Sequence, residues 1–287
     1  MSAIYRKELK SYFSSIMGYL FIAVMLIAAG IYTMIYNLSY QYAVFEYVYA
    51  SVTFIYLIVI PILTMRSFPE EKKQKTDQLL YSLPIKMSEI VFGKYFAALT
   101  VLAIPTVVMG IYPLILSSFG TFNLAIVYST MVYFFLLGAA LISVCMFVST
   151  LVESQILAAI FSFLVVFVAY FADNITRFSS SSIPISLALI IIFIAVIALT
   201  VNLLTKNKFL SQLIAIILVI ATIVLLIVKS SLIEGVASAV LEKIALFEQM
   251  YNVIYGTVDF SGIVYMLSVI ALFNFFSVQV LEKRRWA

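Results

Sequence analysis

From Ile16 to Tyr36 the chain carries no charged residue, and a run of about 20 apolar residues is what a helix needs to cross the hydrocarbon core of a bilayer. Runs of similar length begin near Tyr47, Gly93, Asn123, Gln155 and Gly262, ending near Met65, Ser117, Val148, Ala172 and Leu281. Between Ile183 and Val228 the apolar stretch is about 46 residues long, broken only by Thr205, Lys206, Asn207 and Lys208. A single helix of that length would reach about 70 Å, more than twice the core, so it must fold back as two spans meeting at the polar tetrad. In lipid only helices and closed barrels satisfy every backbone group, and continuous runs rather than alternation mean helices. The expected fold is an all-α polytopic membrane protein of about eight transmembrane helices, one transmembrane domain over residues 1–287.

Composition agrees. Hydrophobic residues are 65% and charged residues 10% of the chain, against about 25% charge in a soluble domain. Histidine is absent, which removes imidazole as metal ligand, proton relay or general base and with it most metal-dependent intramembrane hydrolases. The single Cys145 lies inside an apolar run, where it reads as a small packing residue.

The basic residues sort by side. With eight spans and a cytosolic amino terminus, all of the 17 Lys and Arg except Arg177, Lys229 and Lys243 fall in cytosolic segments, as the positive-inside rule requires. Both termini are then cytosolic, and the net charge of +4 is explained without nucleic acid. Residues 1–15 form a basic amphipathic helix at the headgroup level, and the first span reads as uncleaved. In residues 230–260, Leu232, Val236, Val240 and Ile244 recur at helical spacing opposite Glu234 and Glu242, the pattern of an extracytoplasmic interfacial helix before the last span. No charged residue is expected well within a span, which argues against ion-coupled pumping. Asn202 and Asn274 lie inside spans, where amides commonly join helices.

The longest interval dense in charge runs from Met65 to Lys94. Ser67, Pro69 and Glu70 write a helix start, with serine as N-cap and proline in the first turn. The helix is expected over 67–83, ending before Pro84. Thr76, Leu79, Leu80 and Leu83 share one side, Lys72, Lys73 and Lys75 the other, and Ser88 caps the following span. A short amphipathic helix held between two membrane helices can act as a lever; a solvated basic loop is the plainer reading.

This interval resembles the cytosolic signature of ABC-2 type transporter permeases, in particular the gliding-motility-associated permease family. The matching residues are Met65, Arg66, Phe68, Glu70, Glu71 and Lys72, then Thr76, Asp77, Gln78 and Leu80, then Pro84, Gly93 and Lys94. Lys7 to Leu9, Tyr12 and Phe13, Gly18 and Tyr19, the link Phe147 to Gln155, and the tail Leu246 to Ser268 with Leu281 to Trp286 are similar to other blocks of that family. Lys75 departs from it, standing where glycine is common, and the two spans over 183–228 look like an insertion into a six-span pattern.

The resemblance implies a permease subunit, non-catalytic in itself, of an exporter in the bacterial cytoplasmic (inner) membrane. It implies coupling to a separate cytosolic ABC ATPase dimer that binds ATP and Mg, with Arg66, Phe68, Glu70, Glu71, Lys72, Thr76, Asp77, Leu79, Leu80 and Pro84 as the coupling residues. A second permease copy or homologous permease and a gliding-type auxiliary membrane protein are the further implied partners. The chain itself offers no cofactor site, since Gly93-Lys94 lacks the spacing of a phosphate-binding loop. Glu153 and Gln155 form either a second contact with the ATPase or a solvated turn. Two rival functions are a scaffold that passes force to an envelope partner without transport, and a glutamate-dependent intramembrane peptidase. The peptidase wants an arginine at Lys75 and a downstream histidine that does not exist.

Overall fold

The computed structural model describes residues 1–76, 85–179, 246–254 and 259–286, together with the isolated positions Ile194, Gln212, Ile216 and Val219. The helices are α1 (Ser2–Ser14), α2 (Ile16–Thr33) continued by a π-helical turn (Met34–Ser39), α3 (Glu46–Thr53), α4 (Tyr56–Thr64), α5 (Pro69–Lys73), α6 (Met87–Leu116), α7 (Leu124–Leu151), α8 (Gln155–Ser179), α9 (Glu248–Ile254) and α10 (Phe260–Trp286). No strand occurs among the described residues. Five helices are long and apolar enough to cross a membrane, and α3 with α4 makes a sixth if that bent pair is one span. The two spans expected over 183–228 and the 230–245 part of the interfacial segment lie outside the described residues.

The chain divides into two compact units, one of Met1–Phe167 with Phe247–Ala287 and one of Val168–Leu246. In the first unit α7 is the central helix, packing against α3, α4, α6, α9 and α10. Its sequence explains the position. A Cβ on Gly138 would stand 2.7 Å from Leu102 Cδ2 and 3.1 Å from the Tyr56 hydroxyl, so α4 and α6 close in where α7 has no side chain, as small residues allow between membrane helices. Around that contact Tyr56 stacks on Phe134 at 4.8 Å and donates to its carbonyl at 3.3 Å, while Tyr95 donates to Ala139 O at 3.2 Å. These two buried hydroxyls thus find carbonyl acceptors in a medium that offers no water.

Several expectations change. The second span is not continuous: α3 and α4 meet at a 57° bend. Ile55 and Ile58 donate to carbonyls three residues back, a 3₁₀ turn, and Pro61 removes the bond that Leu57 O would otherwise accept. The third span begins at Met87 rather than Gly93, with Lys86, not Ser88, as its N-cap, and it runs through Pro105 and Pro113 as one helix. Two charged residues are buried in span-forming helices where none was expected: Glu46 at the start of α3 and Lys94 in α6. Among the described residues Asn274 makes no bond to another helix; its amide donates to Ile270 O of its own helix at 2.8 Å.

α10 lies parallel to α7. Tyr133 donates to Asp259 O near their starts, and Arg284 reaches Leu151 O at 3.5 Å near their ends. The same end of the bundle collects α1, α5, the start of α6 and the α7–α8 link.

Candidate functional site

The charged end is built by three elements that meet on Lys94. Two turns into α6, its ammonium is 2% exposed, and an ammonium has three protons to place. Nζ lies 2.9 Å from Glu8 Oε1 of α1, 3.0 Å from Glu71 Oε2 of α5 and 2.7 Å from Ser67 O before α5. The Phe68 ring lies beneath it, centroid 5.3 Å away. The other Glu71 oxygen accepts from Lys7 Nζ of α1 at 2.8 Å. Two lysines and two carboxylates therefore close a neutral network that fastens α1, α5 and α6 together. Burying a charge in this way is tolerable only when it is paired and hydrogen-bonded.

The network shifts its members. Burial by itself would raise the Glu71 carboxyl, but Lys94 and Lys7 outweigh it and hold that carboxyl below its ordinary range. Partial burial works against the Lys7 ammonium, and the bond and charge of Glu71 outweigh it, with Glu8 and Glu70 adding, so Lys7 is raised. Both groups lie beyond the apolar spans, in the headgroup-side segments.

α1 is seated on α6 by shape as well as charge. A Cβ on Gly93 would stand 2.9 Å from Ile4 Cγ2, so the glycine beside Lys94 is what lets α1 approach. Tyr5 and Thr100 hydroxyls meet at 2.9 Å, and the amino terminus pairs with Glu89 at 3.3 Å.

The expected coupling residues divide by this geometry. Phe68 and Glu71 turn inward to Lys94. Lys72 turns to the other side and donates to Thr150 O at 2.6 Å and Val152 O at 2.9 Å, placing a cation on the last carbonyls of α7. Thr76 Oγ1 donates to Glu71 O at 3.3 Å. Arg66 and Glu70 lie 4.0 Å apart near the surface. Glu153 is exposed in the α7–α8 link and Gln155 opens α8. Asp77, Leu79, Leu80 and Pro84 lie outside the described residues.

The helix expected over 67–83 is different in its described part. Phe68, not Ser67, is the N-cap, Pro69 takes the first turn, and the helix ends at Lys73. Lys75 then has φ 55, the left-handed region that favours glycine. The departure from the family pattern at Lys75 therefore falls on a position that calls for glycine, the one such position among the described residues of this segment.

Sequence reasoning passed over Lys7, Glu8 and Lys94 as site residues. The available signal was a lysine at the very start of an apolar run, which needs a carboxylate partner once the helix buries it.

A family model described as ABC-2 family transporter protein matches residues 2–178, more than half of the chain and all four members of the network. No curated protein and no solved structure matches the chain.

Proposed function

The chain belongs to the ABC-2 transporter family as a membrane-spanning permease subunit of an ABC transporter, and we propose that it is an exporter driven by a separate cytosolic ATPase through the segment from Arg66 to Pro84. The observation that carries the reading is the attachment of this segment. Lys94 holds Ser67 and Glu71 to α6 and α1, and Lys72 holds the end of α7. A displacement of α5 is therefore passed to two membrane-spanning helices, α6 and α7, and to the interfacial α1 at once. The residues of the segment that point away from the bundle, Lys73, Gln74 and Lys75, are available to a partner, with Leu79 and Leu80 beyond them.

In this reading ATP and Mg bind the ATPase, and the charged end faces the cytosol because it gathers Arg6, Lys10, Arg66, Lys73, Lys75, Lys86 and the Lys283–Arg285 tail. The membrane is then the bacterial inner membrane, with both termini cytosolic and two permeases per complex. The gliding-motility subfamily and export direction rest on the sequence resemblance.

The test is co-purification of a cassette ATPase with the full chain from its native membrane, read by ATP hydrolysis in vesicles. The ATPase should co-purify with the unaltered chain. Leu80→Asp should detach it, whereas Glu71→Gln should leave it bound but make hydrolysis unresponsive to the permease. Co-purification untouched by Leu80→Asp would remove the segment from the interface.

A further inference from the structure

The face of the bundle between α6 and α10 carries a cleft of about 520 Å³ that the coupling machinery does not use. It runs from Ser88 on α6 and Val278 on α10 to Leu99 and Leu267, with Ala139 of α7 among the residues that line it. It extends along about 11 residues of each helix, or about 16 Å at 1.5 Å per residue. That is half of the roughly 30 Å hydrocarbon core, the depth of one leaflet.

The mouth of the cleft is basic. Ala271, Val278 and Arg285 are seven residues apart and share one face of α10, so Arg285 continues the lining row out of the hydrocarbon. Its Nη1 donates to Ile85 O at 3.5 Å, which bridges the starts and ends of the two helices above the opening. Lys86 is exposed beside it, while Lys283, two residues from Arg285, falls on the other side of α10. Glu282 is the acid within this cluster, and Glu89 is engaged by the amino terminus.

We propose that this cleft seats an anionic phospholipid from the leaflet on the charged side, its acyl chain along α6 and α10 and its phosphate on Arg285 and Lys86. The apolar depth excludes a free phosphate as the occupant, and the cations at the mouth select a negative headgroup, as basic pockets between membrane helices do. A second copy fits the cleft poorly. Two copies related by an axis along the membrane normal meet at equal depth, which would set this basic cluster against itself. The assignment does not depend on how the segment from Arg66 to Pro84 meets an ATPase.

The experiment reconstitutes the full chain in phosphatidylcholine vesicles containing phosphatidylglycerol, and measures by electron spin resonance the association of each lipid spin-labelled on its chain. Phosphatidylglycerol should be preferred, and Lys86→Gln with Arg285→Gln should lower that preference by about fivefold for each charge removed. Ala271→Phe, which fills the cleft, should displace both lipids; the two exposed-charge variants carry the test by themselves if it misfolds. Equal association of the two lipids with the unaltered chain, or a preference that survives loss of both charges, would overturn the proposal. So would a disulfide-linked pair of chains formed through Ala271→Cys, which would put a second copy in the cleft.

Discussion

Lys94 Nζ and Glu71 Oε2 lie 3.0 Å apart, joining a helix that enters the membrane to the charged segment that precedes it. Because Lys94 is 2% and Glu71 13% exposed, removing Lys94 leaves two largely buried carboxylates, Glu71 and Glu8, to share the single Lys7 ammonium, at 2.8 and 3.9 Å. Lys94→Met should destabilise the protein by about 3–5 kcal/mol, seen as a lowered midpoint in thermal unfolding of the detergent-solubilised chain. The cycle with Glu71→Gln should be non-additive by more than about 1 kcal/mol, because both changes break the same bond. Additive losses would mean that the two groups do not interact.

The same pair gives the stability a pH dependence. The Glu71 carboxyl is held below its ordinary value of 4.5, so its contribution is fully present above that value and is lost as the pH falls through the lower native one. Lys7 is raised above 10.5; its contribution is present below that value and is lost as the pH rises through the native one. Lys7 is 60% exposed, so solvent screens its share and the alkaline loss should be the smaller. Unfolding midpoints between pH 3 and 6 should fall for the unaltered chain and fall less for Glu71→Gln. A Glu71→Gln profile that falls as steeply would assign the acid sensitivity to another group.

Lys75 sits at φ 55 just after α5, where a side chain costs about 1–2 kcal/mol and glycine does not. Glycine gives part of this back through the entropy of the unfolded chain. Lys75→Gly should therefore stabilise by less than about 1 kcal/mol, and Lys75→Val, whose branched side chain disfavours positive φ, should destabilise by more. Midpoints of the two variants in the opposite order would contradict the backbone conformation assigned to Lys75.

What was legible in the residues depended on how local its cause was. The span from Gln155 to Ala172 follows from one uninterrupted run, and the end of α7 falls close to where the polar residues begin, because the bilayer length acts on contiguous sequence; α10 instead runs on through Glu282 to Arg285 and ends at Trp286. The Lys94 network was not legible, since Glu8, Glu71 and Lys94 come from three distant segments and only the packing of α1 against Gly93 brings them together. The 57° bend between α3 and α4 likewise depends on a 3₁₀ turn at Phe54 to Ile58 that no residue type announces; Pro61 marks the helix but not the place of the bend. Ser67 and Ser88 look like caps by type, yet tertiary demand moved both helix starts. Lys94 takes the Ser67 carbonyl, and α6 extends back to Met87.

Gly93 tests whether α1 must lie against α6. A Cβ there would fall 2.9 Å from Ile4 Cγ2 and 3.4 Å from the Tyr5 backbone nitrogen. Gly93→Ala should cost about 1–3 kcal/mol through overpacking, and Gly93→Ala with Ile4→Ala should recover most of it by removing the atoms that collide. If the second change gives no recovery, α1 is not held at this contact.

Asn274 is 1% exposed in the middle of α10, and its Oδ1 has no hydrogen-bond partner among the described residues. Only the amide nitrogen can donate to Ile270 O, so the oxygen cannot exchange places with it to find relief. An unpaired buried acceptor costs about 1–3 kcal/mol, and leucine has nearly the same volume without the polar atoms. Asn274→Leu should raise the unfolding midpoint of the solubilised chain, while Asn274→Asp, which exchanges the donor for a second acceptor facing Ile270 O, should lower it. A fall with leucine would show that Oδ1 has a partner in the membrane, and loss of transport with a raised midpoint would place Asn274 on the substrate path. The amide sits among the residues lining the α6–α10 cleft, so the leucine variant should keep its preference for phosphatidylglycerol, which is set at the mouth by Arg285 and Lys86.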